Sequence, residues 1–262
     1  MSRDVLFEAR DGVAAVTFNR PHQRNAIHYE MWREIARLME ECGKDASVRV
    51  AVFRGAGQEA FSAGADIAEF DRHRKDSTVA RRYHRAVEGA LDAVAALPKP
   101  TIALITGFCV GGGCELATAT DIRVAAGNSR FGIPSAKLGL LVGYREMQRL
   151  AHLVGPGVAM DLLLTARLMD AEEALRVGLI SRLVPLARIE ETASALAGEV
   201  AALAPLAHRG HKQILETVLS NPRLKGLTPK QKRLPFACYD TADFHEGRRA
   251  FLEKRKPRFR GR

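Results

Sequence analysis

Three adjacent glycines, Gly111, Gly112 and Gly113, are followed at once by CELATATD, so a carboxylate, Glu115, stands one turn inside whatever element begins there. Glycine lets the backbone turn sharply and lets a ligand come close to its amides. A helix starting at that point aims unpaired N–H groups and the positive end of its dipole outward. Types and spacing together describe a receptor for negative charge beside an acid/base group. The same residues admit a plainer reading, in which the glycines are a packing device and Glu115 is solvated. A second glycine segment, FSAGADIAEF, carries the Ala63-Gly64 turn followed by Ala65 and Asp66.

The elements that must hold these residues are legible nearby. TIALIT, at 101–106, is a continuous apolar run with β-branched residues and reads as a buried strand entering the glycine knot, with a helix leaving it. Upstream, VLFEAR and VAAVTFNR flank Asp11-Gly12, a two-residue hairpin signal. Met31, Ile35, Leu38, Met39 and Cys42 fall at helical spacing. VRVAVFRGAG is another strand, FSAGADIAEF a loop turning helical near Asp66, and Asp71 to Leu97 a charged stretch of helical composition that the prolines at 98 and 100 stop. Downstream, short apolar runs and turns give way to the helical spacing of YREMQRLAHLVG. Strands and helices interleave to about residue 185, which predicts an α/β core of repeated strand-strand-helix units. Three helices are expected after Pro185, so the domain division is 1–185 and 186–262, the second helical.

Composition narrows the classes of function. The 262 residues, 47% of them hydrophobic, can bury a large core. No stretch approaches the roughly 18 apolar residues of a membrane span, and the first ten residues have neither a signal-peptide nor a transit-peptide character; the expectation is a cytoplasmic protein without a membrane partner. Cys42, Cys109, Cys114 and Cys238 form no CxxC pair and read as reduced core thiols. His208 and His211 share helical spacing but sit beside Arg209 and Lys212 on a solvated face, so no metal is implied. The glycines lack the GxGxxG and GxxxxGK[ST] patterns, so neither a nicotinamide, a flavin nor a phosphate loop is expected. The net charge of +10 would suit nucleic acid or small polyanions, but eight Arg and Lys against one Glu lie between Gly247 and the C-terminus, so much of the excess is terminal.

FSAGADIAEF, ITGFCVGGGCELATATDIRVAA, FGIPSAKLGL and AFLEKRKPRF, in that order and spacing, resemble the crotonase superfamily, the enoyl-CoA hydratase and isomerase family, from NRPHQRNAI to the C-terminus. The resemblance implies a crotonase-like spiral of strand-strand-helix repeats, a helical C-terminal trimerisation domain, and trimers or hexamers. It implies an acyl-CoA thioester substrate, with coenzyme A as part of the substrate and no separate cofactor, and a thioester enolate held in an oxyanion hole. By resemblance the donors are the amides of Ala65 and Gly112; Ala63, Asp66 and Gly111 surround the substrate, and Arg24 and Lys254 meet the CoA phosphates and adenine. Backbone donors aimed at developing charge need no reorganisation, which is why such a hole suits an enolate.

One departure stands out. Hydratases of this family place a second glutamate just after the FGxP turn, and this chain has Ser135 there, leaving Glu115 as the matching acid/base group. Ala68 stands where many relatives carry a basic residue. Tyr144, Arg145 and Glu146 are expected to reshape the acyl pocket, with Glu146 the first other acid to consider. The leading expectation is hydration of a 2-enoyl-CoA to a 3-hydroxyacyl-CoA. Its alternatives are a double-bond isomerase using Glu115 alone, and a non-catalytic basic scaffold that binds CoA or RNA, nucleic acid being the less favoured partner.

Overall fold

The computed structural model describes residues 4–262; residues 1–3, the start of the expected 1–185 core, lie outside the described residues. The chain opens with β1 (Val5–Arg10) and β2 (Val13–Phe18), then α1 (Tyr29–Lys44), β3 (Val50–Gly55), β4 (Ala60–Ser62), α2 (Phe70–His73) and α3 (Ser77–Ala96). The central part is β5 (Thr101–Ile105), β6 (Phe108–Val110), α4 (Gly112–Ala119), β7 (Ile122–Ala126), β8 (Arg130–Gly132) and α5 (Tyr144–Thr165). It closes with β9 (Met169–Asp170), α6 (Ala171–Arg176), β10 (Arg182–Val184), α7 (Ile189–Ala201), α8 (Pro205–Ser220), α9 (Pro229–Arg233) and α10 (Ala242–Leu252).

The strands make two sheets, β1-β2-β3-β5-β7-β10 and β4-β6-β8-β9. The pairs β3/β4, β5/β6 and β7/β8 each give one strand to each sheet, and successive pairs run parallel. The chain therefore winds as a spiral, one strand-strand-helix unit per turn. The Asp11-Gly12 signal holds: both residues have positive φ, 51° and 83°, and Arg10 faces Val13 across the turn, as a primed two-residue hairpin requires.

Alternation along the strands explains the apolar run at 101–106. Ala51, Phe53, Ala103, Ile105 and Ala125 join the main core with α1, α3 and α4. Val50, Val52, Ile102, Leu104, Val124 and Ala126 point the other way, against Ile189, Ala193, Leu196 and Val200 of α7. A sheet covered on both faces needs apolar residues at every position. Truncating a wholly buried residue such as Ile102 to Ala should cost about 2–5 kcal/mol.

The structure corrects the sequence reading in three places, the β5-to-α4 connection, the number of C-terminal helices and the core position expected for Cys238. The strand at 101–106 does not enter the glycine knot directly: the chain turns at Gly107 (φ 59°), lays β6 in the second sheet, and only then begins α4. A side chain at Gly107 would lie on the carbonyl of Glu59, so this turn requires glycine. After Pro185 there are four helices among the described residues rather than three. The extra one, α9, starts with a capping box in which Thr228 and Gln231 exchange side-chain hydrogen bonds. Cys42, Cys109 and Cys114 are free and buried, whereas Cys238 is free and exposed. No helix among the described residues is long and apolar enough to cross a membrane.

Candidate active site

Two loops meet over the N-terminus of α4. Ser62 Oγ accepts from the Gly64 amide at 3.1 Å, and Gly64 holds φ 97°. Ile27 and Ala65 form a parallel bridge whose bonds are Ile27 N to Gly64 O at 2.7 Å and Asp66 N to Ile27 O at 3.0 Å. In such a bridge the flanking residues carry the bonds, so the N–H of Ala65 points to the opposite side. Gly112 is the first residue of α4 and has no partner for its N–H within that helix. A Cβ built on Gly64 would lie 3.2 Å from the Gly112 nitrogen, and one built on Gly112 would lie 3.7 Å from the Ala65 nitrogen. Two free amides thus stand side by side in the lining of one pocket.

The two readings of the glycine knot divide among its three residues. Gly111 makes the turn, with φ 53°, and its amide bonds Gly132 O at 2.8 Å. Gly112 presents its amide above Trp32, whose Cζ2 would sit 3.0 Å from any added Cβ. Gly113 is a packing residue, since a Cβ there would meet Ser62 at 2.7 Å. Cys114, Leu116 and Ala117 of α4 are buried in the core, which leaves Glu115 to face the pocket.

That pocket, about 560 Å³, is lined by Ala63, Gly64, Ala65, Gly111, Gly112 and Glu115 on one side. Ser135, Leu141, Val142, Tyr83, His84 and Glu146 form much of the other. Burial first, and then the charge of Glu146, push the Glu115 carboxyl up from its usual 4.5 to about 7, against the opposing pull of Arg74 and Arg149. Arg74 is itself held over the rings of Phe70 and Tyr83, 4.6 and 4.3 Å from their centroids. Trp32 Nε1 donates to Tyr83 Oη at 3.1 Å and braces the wall beneath Gly112.

The sequence-predicted residues do not all converge. Glu115, Ala65, Gly112, Ala63, Gly111 and Ser135 share the pocket. Arg24 lies in an adjoining groove that shares Ala63 with it; its guanidinium pairs with Glu59 at 2.5 Å and covers Phe108 at 5.1 Å. Asp66 is turned to the loop instead, pairing with Arg20 at 2.8 Å and capping the Ala68 amide. Tyr144, expected on the substrate, is 97% exposed and lines no part of the pocket; its neighbour Arg145 pairs with Asp92. Lys254 closes α10 in a left-handed conformation, φ 53°, and lines neither pocket nor groove. Trp32, Arg74, Tyr83 and His84 went unmarked in the sequence, because α1 read there only as an amphipathic helix and residues 71–97 only as a charged stretch of helical composition.

The chain is similar to known proteins along nearly its whole length. A family model described as enoyl-CoA hydratase/isomerase matches residues 8–262. The chain is 35% identical over 258 residues to the short-chain-enoyl-CoA hydratase of Clostridium acetobutylicum, covering 97% of this chain and 96% of that protein. It is 34% identical over 256 residues to the crotonyl-CoA hydratase of Syntrophomonas wolfei, covering 98% and 97%. Its fold matches the crystal structure of an enoyl-CoA hydratase/carnithine racemase from Magnetospirillum magneticum with a TM-score of 0.96 at 38% identity, over 100% of this chain and 97% of that one.

Proposed function

The chain belongs to the enoyl-CoA hydratase/isomerase family, and from that premise we propose that it hydrates a short 2-enoyl-CoA to the 3-hydroxyacyl-CoA. The observation that carries the reading is the placement of two free amides, Ala65 and Gly112, over a pocket that also holds Glu115. As water oxygen bonds to C3, the electron pair of the double bond moves to the thioester oxygen, where the two N–H groups receive the charge. Donors preorganised for an oxyanion are each worth about 2.7–4 kcal/mol of barrier. A proton must then reach C2. Glu115 supports that step: with its carboxyl held up near 7, both protonation states are populated around neutral pH, the condition for efficient acid/base work. Hydration moves protons and no net electrons, so the acyl-CoA and water suffice and no further cofactor enters.

Arg24 sits beside the pocket and would take a CoA phosphate in competition with Glu59. For Lys254 the support is the basic C-terminal tail alone. Residues 186–262 are read as an oligomerisation region, favouring a homotrimer or a hexamer: Leu215, Phe236, Tyr239 and Phe251 there are apolar and 58%, 67%, 55% and 82% exposed. An acyl-CoA substrate also favours the cytoplasm as the working compartment. The deciding experiment is incubation with crotonyl-CoA, following loss of the conjugated thioester absorbance and the mass of the product. Gain of one water supports the reading; recovery of unchanged crotonyl-CoA, or of an isomer of equal mass, overturns it.

A further inference from the structure

Glu146 is the third residue of α5 and faces the same pocket as Glu115. It is 2% exposed, and among the described residues neither of its carboxylate oxygens has a hydrogen-bond partner. A buried carboxylate kept for structure is paired, because an unpaired buried charge costs several kcal/mol. None of the neighbouring cations bonds it: Arg145 and Arg149 of the same helix both pair with Asp92, Arg74 lies over Phe70 and Tyr83, and the buried Arg74 Nε and Arg149 Nη1 are themselves without a hydrogen-bond partner among the described residues. From α3, His84 and Glu88 bring donor atoms that lie with those of Glu146 within 4.8 Å of one another, and His84 Nε2 is 3.2 Å from Glu88 Oε1. The space is made by Gly143, since a Cβ there would collide with the Glu146 carboxylate and come 2.7 Å from His84 Cε1. Ser135, which lines the same pocket, offers no carboxylate.

Resting on the hydration reading above, we propose that Glu146 is the second acid/base residue of this site, taking the proton of the water that adds to C3 while Glu115 supplies the proton to C2. The water O–H bond breaks toward Glu146 as oxygen bonds to C3, and the alkene pair passes to the thioester oxygen. The enolate pair then returns to form C2–H with the proton of Glu115. One water has been added, Glu146 now carries a proton and Glu115 is ionised. Exchange with solvent restores both, with His84, 46% exposed along its side chain, the next group outward. The negative charge of Glu146 also helps keep Glu115 protonated for its part, second only to burial.

The test compares the full-length protein with Glu146→Gln and Glu115→Gln in two assays: hydration of crotonyl-CoA, and solvent deuterium exchange at C2 of the saturated butyryl-CoA, which needs only the C2 residue. Glu146→Gln should lower kcat for hydration about 10²-fold or more with KM changed little, and should keep C2 exchange within about tenfold of wild type. Glu115→Gln should lose both. Hydration by Glu146→Gln within about threefold of wild type overturns the role, as does an equal fall in both assays, which is the mark of a structural defect. A wild-type protein that exchanges at C2 but never hydrates sinks the hydration reading together with this role. Stoichiometric zinc in the wild type that is lost in Glu146→Gln would make this carboxylate a metal ligand instead and overturn it as well.

Discussion

A Cβ on Gly64 would stand 3.2 Å from the backbone nitrogen of Gly112, so the loop after β4 and the first residue of α4 touch backbone to backbone. The absence of side chains at this contact is what lets the amides of Ala65 and Gly112 stand together. Ala65→Pro deletes one of those N–H groups without altering a side chain the pocket needs for shape. Turnover of crotonyl-CoA should fall by about two to three orders of magnitude. Circular dichroism and oligomeric state must match wild type, and a correctly folded variant at near-normal rate removes Ala65 from the site.

Glu115 should leave two signatures. If it gives a proton to C2, kcat for hydration falls as pH rises through about 7, and Glu115→Gln costs about 10²–10⁴ in rate. Stability follows the same carboxyl. Its folded value, about 7, lies above its usual 4.5, so the folded state holds the proton more tightly, and the stabilisation present below about 4.5 is lost as pH rises through about 7. Glu115→Gln should therefore stabilise the fold at about pH 8, by about 1–3 kcal/mol, and hardly at all near pH 5. Denaturant melts at the two pH values check the sign; equal effects at both would place the carboxyl in ordinary water.

Arg24→Ala separates the nucleotide from the acyl end. The guanidinium lines a groove that adjoins the pocket through Ala63, so KM for crotonyl-CoA should rise about 5- to 30-fold, the range for one exposed charge-assisted contact. KM for the matching pantetheine thioester, which lacks the nucleotide phosphates, should hardly move. Equal increases with both substrates would locate the damage in the loop that Arg24 shares with Ala63, whose amide bonds Arg24 O at 2.9 Å.

The C-terminal helices give a prediction about assembly. Helix α8 has no buried residue, and Leu215, Val218 and Leu219 on it are exposed, which an isolated chain would leave as an apolar patch. Light scattering at micromolar concentration should give at least a trimer. A monomer there refutes the oligomerisation role of residues 186–262.

Gly107→Ala tests the turn that sends the chain from one sheet to the other. Alanine would be forced into φ 59° against the Glu59 carbonyl, a strain of about 1–3 kcal/mol before any clash is counted. A lowered melting temperature is expected, with the activity of the folded fraction retained. An unchanged melting temperature would mean that the turn relaxes freely.

Much of the spiral is written locally. The Asp11-Gly12 turn, the spacing of α1 and the unbroken apolar run of β5 each follow from backbone preference or burial period, which act over a few residues. The glycine knot and Glu115 were visible for the same reason, because turn, amide and carboxylate are neighbours in the chain. What sequence order could not decide is which face of each helix turns inward. Tyr144 and Glu146 lie two residues apart on α5, about 200° around the helix, so periodicity sets them on opposite faces without saying which one meets the core. Packing of α5 against α4 settled it, burying Glu146 and leaving Tyr144 in solvent. The same long-range packing brought His84, Arg74 and Tyr83 from the charged stretch onto the pocket wall. It also assigned the three glycines to a turn, an amide and a packing contact. Those choices depend on contacts between segments far apart in the chain, and only the folded molecule contains them.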